Sequence, residues 1–359
     1  MVSAARPSRL ILASGVIAVI LATLVLVAAC ASSPQPPTGS PTKRASATGS
    51  ATGDPSPSLS PTPTAAPLGA AGTFQVGQRE LTFTEPAHTG PTGHHVARRS
   101  LLTKIRYPLA QGSGGSQPAA GPLPLLMFGP GFHLCSDSYD DLLQTWASAG
   151  YVVAAVNFPR TDCYTGTSDE SDLVNQPSDM SYVLSKLLEI SAGPGDPFSG
   201  LLNPNEVAAA GHSDGGDTVA ALAANTCCAD HRLKAVAVLS GAEWAQMPGK
   251  YFTQGAPPML FAQGSADPVN PPSASVTLYR SDVGGTRYYL NLPGADHMGP
   301  YTATNPVEQL VARTTLAFFD RYVLGQASAQ ATMTQDGNLA GTAQLDSGGH
   351  VPRGAALPA

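Results

Sequence analysis

Charged and aromatic residues are both scarce in this sequence. Asp, Glu, Lys and Arg make up 12% of the 359 residues, and Phe, Trp and Tyr make up 6%. The formal net charge is −6, and Lys and Arg never occur more than two in a row. A nucleic-acid-binding surface needs concentrated positive charge, so the composition argues against DNA or RNA as a partner.

Cysteine is scarce as well, with five residues in the chain. None of them has the CxxC spacing or the neighbouring histidines that are typical of zinc sites. We therefore expect no metal, and no residue pattern calls for another cofactor.

The first residues have the pattern of an export signal. Two arginines precede a largely apolar stretch at 10–29, and small residues lead up to Cys30. Residues 27–30 resemble a bacterial lipobox, in which the cysteine is acylated and becomes the new N-terminus. The resemblance predicts a signal peptide at 1–29 and an exported protein held at the membrane by a lipid on Cys30. An uncleaved signal-anchor helix is the alternative, because 10–29 is long enough to span a bilayer.

The rest of the chain divides by composition. Residues 30–71 are rich in Pro, Ser and Thr and lack apolar periodicity, so they are predicted to form a disordered tether. Residues 72–325 are predicted to form the folded domain. Residues 326–359 are weakly patterned and are predicted to form a C-terminal tail.

Residues 72–325 alternate between two kinds of pattern. Short apolar runs, which are typical of buried strands, alternate with segments of helical periodicity. This alternation predicts the α/β class, with a mostly parallel sheet and helices on both faces. Two earlier runs, 73–84 and 100–107, have no helical pattern between them and predict an antiparallel lead-in. The predicted parallel strands are 123–128, 151–158, 207–211, 235–239, 259–263 and 287–292.

A G-x-S-x-G element at 211–215 is the clearest chemical signal. It follows a strand candidate and precedes an Ala-rich helix candidate at 216–224. On such a strand-to-helix turn a serine is exposed, and the free amides of the new helix favour negative charge on a reacting oxygen. We interpret Ser213 as a nucleophile.

With these motifs, residues 72–325 resemble the α/β-hydrolase family. The similarity is to small esterases of the platelet-activating-factor acetylhydrolase-like, chlorophyllase-like and cutinase-like polyester hydrolase types. Its specific parts are 128–132, 175–179, 211–216 and two later loops. The resemblance implies a hydrolase fold without a large lid domain, in which the catalytic residues follow in the chain order serine, acid, histidine. The implied reaction is hydrolysis of a small-molecule or polymeric carboxylic ester, and it needs no cofactor. A non-catalytic surface lipoprotein, a thioesterase and a peptidase remain alternatives.

That chain order implies the other two catalytic residues. Asp267 directly follows the strand candidate 259–263, and Glu243 is the alternative acid because it follows the preceding strand. His297 is the predicted base. His350 is the alternative downstream histidine, and it lies in the weakly patterned tail.

The resemblance also implies an oxyanion hole and a disulfide. Its two amide donors would be Asp214, after the nucleophile, and Phe132, in the loop after an early strand. His133 is interpreted as a rim residue. In this topology Cys135 and Cys163 follow neighbouring strands and leave at the same sheet edge, so we predict a disulfide between them. For Cys227 and Cys228, which are adjacent, a vicinal bond and a free buried pair are both possible.

Overall fold

A mostly parallel sheet of nine strands forms the centre of the described structure. The computed structural model describes residues 68–348 apart from 70, 113, 116 and 167. The order across the main sheet is 1-4-6-5-7-8-9-10-11, and strands 2 and 3 form a separate pair. In chain order the strands are β1 Val76–Glu85, β2 His88–Thr89, β3 His95–Val96, β4 Arg99–Pro108, β5 Leu123–Gly129, β6 Val152–Asn157, β7 Leu202–His212, β8 Leu233–Leu239, β9 Met259–Gly264, β10 Arg287–Leu292 and β11 Gln344–Ser347.

The pairing directions confirm the predicted α/β class. Strands β6, β5, β7, β8, β9 and β10 are parallel to their neighbours in that order. At one edge β1 and β4 pair antiparallel to each other, as predicted for the lead-in, and β4 pairs antiparallel to β6. The chain leaves β5 towards β6 and returns to the other side of β5 as β7. This reversal creates a crevice at the carboxyl ends of β5 and β7, where ligands bind in open α/β sheets.

Helices cover both faces of the sheet. The α-helices are α1 Asp140–Ser148, α2 Gln176–Ala192, α3 Asp214–Ala224, α4 Pro272–Ser281, α5 Gly299–Thr302, α6 Pro306–Tyr322 and α7 Ala329–Asp336, with 3-10 helices at Ser136–Tyr139 and Glu170–Asn175. The start of α6 is determined locally. Asn305 accepts hydrogen bonds from the amides of Val307 and Glu308, and Pro306 at the first position loses no helical hydrogen bond.

The alternation of side chains along each strand gives two apolar layers. Leu125 and Met127 of β5 pack in the layer that contains α2, α3 and α4. Leu126 and Phe128 of the same strand pack in the layer that contains α1, α6 and α7. The central strands are buried on both faces, which explains their continuous apolar sequences.

The C-terminal residues contribute more structure than their sequence pattern suggested. Residues 329–336 form α7, whose Met333 is buried, and β11 pairs antiparallel with β10 at the sheet edge. The part of the predicted tail up to residue 348 therefore packs on the domain, and the remainder lies outside the described residues.

The four cysteines after residue 68 form two pairs. The sulfurs of Cys135 and Cys163 are 2.04 Å apart, as the predicted pairing requires, and Cys227 is bonded to Cys228. Cys30, the signal peptide and nearly all of the tether lie outside the described residues. Within the described part of the chain, none of the helices is both long and apolar enough to span a bilayer.

Candidate active site

Ser213 lies on a sharp turn between a strand and a helix. Strand β7 ends at His212 and α3 begins at Asp214. Ser213 has φ 54°, a value that is uncommon for a residue with a side chain and that indicates a strained turn. Its amide donates to the carbonyl of Leu239 at the end of β8, at 3.0 Å. The turn is thereby fixed to the sheet and presents the serine hydroxyl at the sheet edge.

The two glycines of the motif allow this turn to pack. A methyl group on Gly215 would lie 1.8 Å from the carbonyl oxygen of Gly129. A methyl group on Gly211 would lie 2.0 Å from the carbonyl oxygen of Gly215. Both distances are impossible for real atoms, so α3 can approach the end of β5 only with glycine at these positions.

His297 and Asp267 meet Ser213 from two neighbouring loops. The acid follows β9 and the histidine follows β10. Nε2 of His297 is 3.0 Å from Oγ of Ser213, and its Nδ1 is 2.7 Å from Oδ2 of Asp267. All three residues are at most 8% exposed. The structure therefore brings the three sequence-predicted residues together in one hydrogen-bonded line.

Asp267 is held in the charged form by its hydrogen bonds. Burial acts to raise the pKa of its carboxyl, but the hydrogen bonds from His297 and from the amide of Val269 outweigh burial, so the pKa is lower than usual. Oδ1 accepts from the amides of Val269 and Asn270, and Oδ2 accepts from Gln263 as well as His297. A carboxylate only accepts, so Nδ1 of His297 carries a proton and Nε2 is free to accept the serine proton.

The predicted oxyanion donors lie on either side of the serine. Phe132 is in the loop after β5, and Asp214 is the first residue of α3. Neither amide donates to the backbone of another residue in the described part of the chain. A methyl group on Gly131 would lie 3.1 Å from Cβ of Ser213, so the loop after β5 directly contacts the nucleophile. Two N–H groups beside the hydroxyl, neither of them used by the backbone of another residue, can donate hydrogen bonds to a negatively charged oxygen.

The side chain of Asp214 is unusual for a residue beside a nucleophile. It is 6% exposed, and its Oδ2 has no hydrogen-bond partner among the described residues. Burial raises the pKa of the carboxyl and the negative charge of Glu170 adds to this effect, whereas His297 and the amide of Asp214 itself lower the pKa, and the net value is about 7. Burial also raises the pKa of Asp217, one helical turn later, whose carboxylate accepts from the amide of Ala242.

The alternatives to the predicted residues occupy other positions. Glu243 is exposed and makes no hydrogen bond to His297, which has Asp267 as its carboxylate partner. His133 is exposed and its Nδ1 is 3.0 Å from Oγ of Ser168, so it is placed at the surface as expected. His350 lies outside the described residues.

Two residues behind the triad were missed by the sequence interpretation. In the sequence, Tyr139 stands at an apolar position of a helical pattern, and His212 is the variable residue of the G-x-S-x-G element. Both are fully or almost fully buried, and Tyr139 Oη is 2.9 Å from Nδ1 of His212. Nε2 of His212 is 2.8 Å from the carbonyl oxygen of His297. A polar residue next to the nucleophile was the only signal that could have indicated this contact.

Comparison with known proteins supports a hydrolase-like family. The model of the chlorophyllase family matches residues 116–262. This segment contains β5 to β8, the loop with Phe132, and the turn with Ser213, but it ends before Asp267 and His297. No curated protein matches the chain with significant similarity. The sheet and the match agree on an α/β-hydrolase architecture without a large lid, and the match indicates a function of the ester-hydrolase type.

Proposed function

We propose that this protein is a serine esterase that cleaves carboxylic esters through an acyl-serine intermediate. One observation carries the proposal. The hydroxyl of Ser213, the ring of His297 and the carboxylate of Asp267 form a continuous buried line with separations of 3.0 and 2.7 Å. Nucleophile, base and orienting acid in this geometry are what acyl transfer requires.

The proposed reaction has two halves. Oγ of Ser213 attacks the ester carbonyl carbon while its proton moves to Nε2 of His297, and the carbonyl electron pair moves onto the oxygen. The amides of Phe132 and Asp214 donate to this oxyanion. When the intermediate collapses, the alcohol leaves with the proton of His297. Water then attacks the acyl-serine, with His297 as the base, and the acid product leaves Ser213 free.

The strained backbone of Ser213 favours a catalytic over a purely binding function. A non-catalytic protein of the same fold would gain stability by relaxing a residue with φ 54°. The close glycine contacts of the turn maintain this strain. Their effect is to place the serine hydroxyl, and they form no part of a binding surface. Thioesterase and peptidase activities use the same machinery and are distinguished by substrate.

The loop between β8 and β9 favours soluble or exposed substrates. A lid in this fold often occupies an insertion there, but the described residues 240–258 contain no helix. Trp244 packs near Met247 in this loop, as does Tyr251. We propose that the site takes short-acyl esters or exposed ends of an ester polymer. The predicted lipid on Cys30 would hold the enzyme on the outer side of the cell membrane, with residues 30–71 as the tether.

A fluorophosphonate probe tests this proposal directly. The wild-type protein should lose esterase activity as the probe modifies Ser213, located by mass spectrometry of the peptides. Ser213→Ala should abolish labelling and turnover while changing the free energy of unfolding by no more than about 1 kcal/mol. Ser273→Ala, at a half-buried position in the first turn of α4, is the control and should behave as wild type. Retention of more than a few per cent of activity in Ser213→Ala would reject the assignment.

A further inference from the structure

A chain of buried hydrogen bonds connects the oxyanion loop to the catalytic histidine. The amide of Gly131 donates to Oη of Tyr139 at 3.0 Å. Oη of Tyr139 is 2.9 Å from Nδ1 of His212, and Nε2 of His212 is 2.8 Å from the carbonyl oxygen of His297. We call these four groups the tyrosine–histidine relay. It begins one residue before Phe132 and ends on the backbone of the proposed base.

The position of every proton in the relay follows from its ends. The carbonyl of His297 can only accept, so Nε2 of His212 carries the ring proton and Nδ1 is an acceptor. Tyr139 must then donate its hydroxyl proton to Nδ1. Its oxygen keeps a lone pair, which accepts from the amide of Gly131. Each donor has one acceptor, and reversing any single bond would leave two donors or two acceptors facing each other.

The surroundings hold the relay in this one arrangement. Tyr139 is 1% exposed and His212 is completely buried. The ring of His212 packs against two others, with its centroid 4.7 Å from that of His297 and 4.8 Å from that of Tyr301. Burial lowers the pKa of His212 to about 3, with His297 acting in the same direction. His212 is therefore neutral and does not add a second positive charge when His297 accepts the serine proton.

We propose that Tyr139 and His212 are positioning residues that fix the distance between the oxyanion hole and the catalytic histidine. This inference rests on the proposed esterase function. The two ends of the relay lie on loops after β5 and β10, which are not neighbours in the sheet. A shift of about 1 Å between such groups can reduce the rate about 100-fold. The relay sets this separation with hydrogen bonds that no water reaches.

The kinetic consequence separates positioning from simple stability. A misplaced oxyanion donor weakens contacts that exist only in the transition state, so kcat should fall while KM changes little. A loss of stability alone would instead lower the number of folded active sites and leave the rate per site unchanged. Titration of active sites with a fluorophosphonate measures that number.

Tyr139→Phe is the decisive variant, and Tyr151→Phe is its matched control. Both remove one hydroxyl from a buried tyrosine, but Tyr151 donates to Asp320, away from the triad. We expect Tyr139→Phe to lower kcat per titrated site about 10-fold to 100-fold, with KM within about threefold of wild type. Its affinity for a trifluoromethyl ketone, which mimics the tetrahedral intermediate, should fall by the same factor as kcat/KM. Tyr151→Phe should change none of these values per site.

A second pair of variants tests the other end if Tyr139→Phe does not fold. The side-chain amide of glutamine can still donate to the carbonyl of His297, whereas leucine cannot. His212→Gln should therefore keep at least about 10 times more of the wild-type kcat than His212→Leu.

The outcomes distinguish the relay from the esterase proposal. Equal kcat per site in Tyr139→Phe and Tyr151→Phe, or equal losses in the two His212 variants, would overturn the relay and leave the esterase assignment intact. Absence of fluorophosphonate labelling at Ser213 in the wild-type protein would overturn both.

Discussion

The buried carboxyl of Asp214 should reduce stability at neutral and alkaline pH. Its pKa is about 7 in the folded protein because burial penalises the charged form, against about 3.9 in an unfolded chain. For an acid whose pKa is raised by folding, the unfolded state loses its proton first. Stability therefore decreases as pH rises from the unfolded value to the folded one, and it is constant above that. Asp214→Asn removes this dependence and preserves the shape of the side chain.

The two pKa values give the size of the effect. The destabilisation by Asp214 is about 0.5 kcal/mol at pH 4, about 1.5 kcal/mol at pH 5 and up to about 4 kcal/mol at pH 8. Asp214→Asn should therefore raise the free energy of unfolding by an amount that grows over this range. Since Oδ2 of Asp214 has no hydrogen-bond partner among the described residues, the substitution breaks no bond at that atom.

Urea unfolding of wild type and variant at pH 4, 5 and 8 measures these differences. Glu308→Gln is the control for burial alone. Glu308 on α6 is 2% exposed, burial raises its pKa to about 7, and its Oε1 also lacks a partner. It should show the same pH trend without affecting the active site. Asp214→Asn should keep ester hydrolysis within about 10-fold of wild type, because the proposed oxyanion donor is the backbone amide.

A pH-independent difference between Asp214→Asn and wild type would refute this reasoning. So would a variant that is less stable than wild type at pH 8. Either result would mean that the carboxylate has a favourable partner in the folded protein.

Three further predictions follow from the proposed site and anchor. Asp267→Asn should lower kcat by about 10⁴-fold or less, because the acid orients His297 without exchanging protons; a larger loss in Glu243→Gln would identify a different acid. Activity on esters of increasing acyl length should be highest for short chains, with no jump when the substrate forms micelles; a steep rise there would require a lid. Cys30→Ser should release the protein from the membrane fraction or leave it unprocessed, and unchanged detergent partitioning and electrophoretic mobility would exclude the lipobox.

The central strands could be predicted because strands that are buried on both faces have continuous apolar sequences. The predicted runs at 123–128 and 287–292 agree with β5 and β10 to within one residue. The edge strand β11 has no continuous apolar sequence, since its residues are exposed or half-buried. Its place depends on pairing with β10, which a local pattern does not encode. Similarly, α3 begins at Asp214, two residues before the Ala-rich segment that predicted it.

The positions of the triad residues could be predicted from the sequence, whereas the relay could not. Ser213, Asp267 and His297 each follow a strand at the carboxyl edge of the sheet, so strand order alone predicts that they converge. Tyr139 instead lies in a 3-10 helix before α1, and its ring packs on Phe128 like an ordinary core residue. A tyrosine at such a position has the same apolar periodicity whether or not its hydroxyl has a partner. Only the folded structure shows that this hydroxyl meets His212, 73 residues later, in a place where neither polar group has access to water. The burial that makes the contact invisible in the sequence also makes it costly to break, because an unpaired buried donor loses its hydrogen bond to water as well as its partner.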